Sequence, residues 1–425
     1  MKLQSTPTTT MASTSLEPSI RISRIFRALL ACQRSSWEQG VAAQALLEWY
    51  LSPLSESLSA SISKEILLEY LYGLAHDAIV RQGVDGRLAV CLNGSGDSDA
   101  GAVDPCCIGE TLYHLMRRED VDHNRFKEAT QSMLDYIWKQ CPKASVGVAD
   151  EEDSNRLLLS HRTDAVEIWS DTVYMLPSFL AAAAVHFVQI QILPMSDLSS
   201  HIRASLAQIV LAAKALQATS GEWSHIYDLK KQEFKRAAYW GVGNGWACAG
   251  IVRVFRIFAG ALVDNESADD MNFIMGDKQI MELVQTSYDI LRRTLEACFK
   301  HMRPDGLFHD ILDDPSSFVE TNFSQQLAYT VYRLLDLQLH SPPEVSSCFS
   351  FPPLSPDLIA DWESKADAMY WAAVKQTDRW GFVNGVCGSP TFDKAGTAAE
   401  GQAFGVLIEI ARGEYLRNKS GSAAV

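Results

Sequence analysis

The chain has 425 residues, 47% of them apolar and 21% charged, with 10 Trp, 13 Tyr and 17 Phe. That is enough for a large core, and length alone allows two or three domains. A net charge of -15 argues against nucleic acid or an anionic membrane surface as a partner, since either calls for a basic face; no apolar run reaches the length of a membrane span.

From the N-terminus, residues 1–17 are polar and Ser/Thr-rich, and are expected to form a disordered tail. They lack the apolar stretch of a secretory signal, which makes a cytoplasmic location the expectation. Beyond them, apolar residues recur at three- and four-residue spacing, predicting helices near 18–34, 38–51, 63–82, 107–119, 123–140, 171–189, 197–218, 244–262, 276–301, 322–339, 355–376 and 397–414. Pro177 falls inside one of these, so that helix is expected to start late or to kink. Gly- and Pro-rich stretches such as 91–101 and 341–353 separate the windows, and no block of alternating β-branched residues stands out. Residues 417–425 read as a flexible tail. The nine cysteines have no metal-like spacing and are expected to be reduced and mostly buried.

Every second helix is preceded by residues of chemical potential. One marker from each approach, Trp37, Asp104, Asp171, Asn244, Glu320 and Glu400, gives steps of 67, 67, 73, 76 and 80 residues. A period of that size with two helices per unit describes a repeated helical hairpin. Six such hairpins close into an all-α (α/α)6 barrel over residues 18–416, a single domain with one cleft at the N-terminal ends of the inner helices. Free helix N–H groups there favour anions.

The segment from Ser160 to Ala181 concentrates the chemistry. His161 and Asp171 sit beside Trp169, Tyr174 and Phe179 where a polar loop gives way to an apolar helix. A carboxyl group in such surroundings can keep a raised pKa and donate a proton near neutral pH. The same position equally suits a helix N-cap. Asp104 precedes Pro105 and suits a turn; Glu38, Glu320 and Glu400 suit caps or pairs within the ring.

Five segments, 36–48, 168–181, 240–247, 305–321 and the paired stretch 385–390 with 399–404, together resemble glycoside hydrolase family 105, the unsaturated rhamnogalacturonyl hydrolases among the six-hairpin glycosidases, in a fungal-type member. The resemblance implies cleavage of a sugar carrying a C4=C5 double bond: an acid protonates the vinyl ether, water adds, and the hemiketal collapses. It implies Asp171 as general acid/base and Asp104 as the second carboxylate. His161, His225, Trp37, Trp240, Asn244, Trp246 and Tyr174 become substrate-binding residues. No metal or cofactor is implied, and the partner is an oligosaccharide or other small molecule. One departure bears on substrate charge. Val242 stands where bacterial members usually carry Arg, which leaves Arg162 or Arg236 to meet a substrate carboxylate, while residues 141–160 add four acidic residues near the cleft. Two alternatives stay open: the fold repurposed as an acid/base enzyme on a small metabolite, and an inactive ligand-binding ring. A cleft shared by Asp171 and Asp104 is required by the enzyme readings; a cation inside it favours a uronate.

Overall fold

The computed structural model describes residues 17–59, 61–90, 100–146, 157–389 and 392–422. Residues 1–16 of the expected N-terminal tail and the four acidic residues of the 141–160 loop lie outside them. In chain order the helices are α1 (Pro18–Cys32), α2 (Ser36–Leu51), α3 (Ser55–Leu58), α4 (Lys64–Val80), α5 (Gly109–Leu115), α6 (His123–Asp135), α7 (Thr172–Ile190), α8 (Met195–Leu216), α9 (Gly241–Leu262), α10 (Ala268–Met275), α11 (Lys278–Cys298), α12 (Asn322–His340), α13 (Pro343–Phe349), α14 (Pro356–Gln376) and α15 (Ala399–Ser422). Leaving aside the short α3, α10 and α13, they form six hairpins, each an outer helix followed by an inner one. The inner helices α2, α5, α7, α9, α12 and α15 pack side by side, and α15 returns to α2 to close the ring. The fold is a six-hairpin α/α toroid.

Burial separates the two rings. Outer α11 buries one stripe, Ile280, Val284, Ser287, Tyr288, Leu291 and Leu295, at three- and four-residue spacing. Inner α9 is buried from Gly241 to Phe255 without interruption. This explains why α7 and α9, contrary to the reading of apolar runs above, are long and apolar enough to cross a membrane: both are mostly buried inside the ring.

Two kinds of glycine contact show how the repeats fit. In α7, Pro177 has no N–H for the carbonyl of Val173. The helix nevertheless starts at Thr172 and runs through the proline to Ile190; α9 packs its Gly250 directly against that carbonyl, where a Cβ would lie 2.2 Å from the Val173 oxygen. After four outer helices, a tight turn sets a glycine at positive φ against the backbone of a neighbouring outer helix: Gly86 on Ser132, Gly221 on Arg293, Gly306 on Ala368 and Gly381 on Arg24. Gly381, at φ 95°, seats the sixth hairpin on the first. A side chain is excluded at such a position by both conformation and space.

Short strands absent from the sequence reading tie down the loops at the inner-helix N-termini. β1 (Lys143–Ser145) pairs with β2 (Leu157–Leu159), β3 (Glu167–Trp169) with β4 (Ile226–Asp228), β4 with β5 (Glu233–Arg236), and β6 (Phe308–His309) with β7 (Val319–Glu320), all antiparallel. They are too short for a period-two pattern to register. At the other end of the chain, α15 runs past the boundary expected at 416, held by Asn418 to Asp336 and Lys419 to Glu363.

Candidate active site

Five of the six sequence markers lie at or within a turn of the N-terminal end of an inner helix, and the sixth, Asp104, opens the 3-10 turn that leads into α5. The three-stranded sheet does most of the assembly. Its register sets Trp169 opposite Ile226 and Ile226 opposite Arg236, while Ser170 N–H donates to the His225 carbonyl at 3.0 Å. Asp171 follows directly, at the N-cap position of α7. A second stitch, Ala102 N–H to the His161 carbonyl at 2.8 Å, draws in the 3-10 turn Asp104–Ile108. The result is a cleft of about 550 Å³ whose lining includes Asp171, Asp104, His161, His225, Trp37, Trp240 and Trp246.

Two aspartates face it, each approached by a buried histidine. His225 Nδ1 accepts a hydrogen bond from Arg236 Nη1 at 2.9 Å, which leaves the ring proton on Nε2, 3.4 Å from Asp171 Oδ2. His161 Nδ1 lies 3.1 Å from the Thr172 hydroxyl, and its Nε2 is 3.3 Å from Asp104 Oδ1. Trp169 separates the pairs. Its indole stacks on His161 at 4.7 Å and meets His225 edge-on at 5.4 Å. Burial holds His161 down to about 4, so the ring is neutral at neutral pH.

Asp171 occupies the N-cap position of α7 yet makes no side-chain capping bond; its Oδ2 instead accepts from Ser170 Oγ at 3.3 Å. Its acidity corrects the expectation of a raised pKa. Burial pushes the carboxyl up, but hydrogen bonding from His225, with His161 and the backbone adding more weakly, outweighs it and holds Asp171 below the ordinary carboxylate range. In the free site it is a carboxylate. The groups held towards the neutral form stand elsewhere: burial raises Glu400, in the cleft, to about 7 and Glu320 to about 8. Glu320 is a cap, accepting from the N–H groups of Phe323 at 2.6 Å and Cys387 at 3.0 Å.

Two expected site residues are placed outside the lining. Asn244 is fully buried; its side chain accepts from Trp223 N at 2.7 Å and donates to the Trp223 and Trp240 carbonyls. It fixes the loop carrying His225 to the start of α9, because a buried amide needs that many partners. Tyr174 is fully buried below the cleft, with its ring against Trp246 and Phe404. Its neighbour Met175 lines the cleft, so it is the face of α7, and not depth along it, that turns Tyr174 into the packed interior. Conversely, Trp169, Arg162, Arg236, Met175, Cys387, Phe392 and Glu400 all line the cleft. Of these, the two arginines stood out in the sequence as substitutes for the cation missing at Val242. Each guanidinium lies over an indole, Arg162 over Trp169 at 5.9 Å and Arg236 over Trp240 at 5.8 Å. Arg162 is also paired with Asp164, so Arg236 is the cation less committed to a carboxylate.

A ring of six helical hairpins with two His-approached carboxylates in an indole- and arginine-lined cleft defines a carbohydrate-type acid/base site. Comparison with known proteins narrows it. Residues 24–337 match Glycosyl Hydrolase Family 88, and the chain belongs to that family. It is similar to the unsaturated rhamnogalacturonyl hydrolase YesR of Bacillus subtilis (strain 168), 24% identical over 234 residues. That match spans 52% of this chain and 55% of the relative, about half the length of each. The fold is that of a possible member of the GH105 family from Salmonella enterica, with TM-score 0.66 at 14% identity, covering 95% of this chain and 94% of the other. An unsaturated glucuronyl hydrolase from Bacillus sp. GL1 shares it at TM-score 0.56 and 12% identity, covering 93% and 95%.

Proposed function

We propose that this chain is a glycoside hydrolase that removes an unsaturated, C4=C5 uronyl-type sugar by hydrating its vinyl ether. The observation that carries the reading is the shared cleft: Asp171 and Asp104 line one cavity together with Arg162 and Arg236. Family membership supplies the reaction class, and YesR, named for such an activity, supports it.

Chemically, a proton passes from a carboxyl group to C4, water adds at C5, and the resulting hemiketal opens to a keto acid as it releases the next sugar. This differs from displacement at the anomeric carbon by paired carboxylates. Asp171 is the proton donor. Because His225 keeps it ionised in the free site, it must take up a proton as substrate arrives. An anionic sugar that displaces cleft water moves the Asp171 pKa in that direction twice, by deeper desolvation and by adding a negative charge. Once the proton has gone to C4, the regenerated carboxylate accepts one from the attacking water. Arg236 meets the substrate carboxylate while its bond to His225 Nδ1 keeps the Nε2 proton directed at Asp171. Asp104, with His161, orients the sugar and the water from the opposite wall.

The arginine-lined cleft favours this reading over a neutral small metabolite. The test is incubation with a panel of lyase-generated unsaturated oligosaccharides, following the absorbance of the conjugated double bond. Loss of that absorbance with wild-type chain, and its persistence with a folded Asp171→Asn variant, is the expected result. No loss with any member of the panel overturns the reading.

A further inference from the structure

Three indoles line the cleft with their N–H groups already committed to carboxylates. Trp169 Nε1 donates to Glu167 Oε2 at 3.0 Å, within one hairpin connection. The other two bonds cross between hairpins. Trp37, at the start of α2, donates from Nε1 to Glu400 Oε1 at 2.6 Å, and Glu400 belongs to α15 at the far end of the chain. Trp240, preceding α9, donates from Nε1 to Asp310 Oδ1 at 3.0 Å, and Asp310 belongs to the next hairpin connection. The backbone repeats that second link, with Gly241 N–H donating to the Asp310 carbonyl at 2.7 Å. Both carboxylates are buried.

We infer that Glu400 and Asp310 are positioning residues that set the sugar-stacking surfaces of the cleft, each locking the indole of a neighbouring hairpin so that only its ring face is offered to substrate. The inference rests on the carbohydrate reading above for the identity of the ligand, but not for the tethers themselves. An indole whose N–H is free can rotate to hydrogen-bond a sugar hydroxyl; one tied at Nε1 presents a fixed apolar face, the surface that sugar C–H groups pack on. Preorganisation of this kind lowers the ordering cost of binding and adds nothing to the bond-breaking step. Burial raises both carboxyls, Glu400 to about 7, with the indole bonds opposing it. A neutral carboxyl still accepts the indole N–H, so the tether does not require a charge, and a glutamine can stand in for Glu400.

The test is a double-mutant cycle on the Trp37–Glu400 pair. Glu400→Ala is expected to raise KM roughly tenfold, the worth of one buried hydrogen bond, with kcat little changed. Glu400→Gln keeps the acceptor and restores wild-type KM. In a Trp37→Phe background, Glu400→Ala has no further effect on KM. The inference is overturned if the Glu400→Ala effect persists undiminished in that background, if Glu400→Gln is as damaging as Glu400→Ala, or if kcat falls in place of a KM rise. A readout without substrate separates this from failure of the proposed activity. With 5-fluorotryptophan incorporated, Glu400→Ala must shift the one ¹⁹F resonance that Trp37→Phe deletes; an unmoved resonance overturns the tether even where no substrate is turned over. Asp310→Ala with Trp240→Phe forms the parallel cycle.

Discussion

Replacing Arg236 with methionine removes the least committed cation of the cleft while keeping a stem of similar length. In the structure this guanidinium does two things: it lies over the Trp240 ring at 5.8 Å, and it donates to His225 Nδ1 at 2.9 Å. A charge-assisted contact between Arg and a carboxylate contributes roughly 1.5–3 kcal/mol, or about tenfold to a hundredfold in affinity. Arg236 is only half-buried, and solvent screening puts the expectation at the lower end, about a tenfold rise in KM for a uronate-terminated substrate. Loss of the bond to His225 frees its tautomer, so kcat falls as well. Arg236→Lys restores charge without the planar fork and falls between. The assay is the initial rate of absorbance loss at low and high ionic strength, with wild-type KM rising as salt screens the pair. An Arg236→Met variant with wild-type KM, or a wild-type KM indifferent to salt, refutes the assignment of the substrate carboxylate to Arg236.

Asp171 gives a pH prediction whose sign follows from its depressed pKa. The free enzyme holds this carboxyl below the ordinary range, so the protonated fraction that can donate shrinks tenfold for each pH unit above that value. kcat/KM, which reports the free enzyme, therefore falls steadily as pH rises between about 5 and 8; a flat profile over that interval contradicts Asp171 as the donor. Gly381→Ala tests ring closure. The added Cβ would lie 2.3 Å from the Arg24 backbone at a φ of 95°, and a loss on the order of 2–4 kcal/mol is expected in denaturant unfolding. Unchanged stability would show that the seam between the sixth and first hairpins does not depend on this contact.

Most of the helical architecture was legible because long helices with a buried stripe repeat their apolar residues at fixed spacing, as in α11. The ring itself was legible from the chemistry-bearing residues ahead of alternate helices, since a shared face requires a shared position in each repeat. What escaped was short or non-local. Strands of two to four residues carry no periodic signal, yet they bring Arg236 and His225 to Asp171. The pairing of Trp37 with Glu400 spans 363 residues, and only ring closure brings them together. Asn244 and Tyr174 occur in matching segments beside true lining residues, and sequence alone does not distinguish a side chain facing the cleft from one facing the interior a turn deeper. The acidity of Asp171 differs from the expectation because its aromatic setting suggests burial alone, whereas His225, brought in from the loop just before β4, supplies the opposing effect.

The central claim is that a proton goes to C4 and water to C5, with the anomeric carbon untouched. The reaction run in D₂O, and separately in ¹⁸O-labelled water, tests this directly by NMR and mass spectrometry of the products. Deuterium at C4 and ¹⁸O at C5 of the released keto acid, with an unlabelled hydroxyl on the departing sugar, is the predicted outcome. ¹⁸O at C1 with no deuterium at C4 would contradict it.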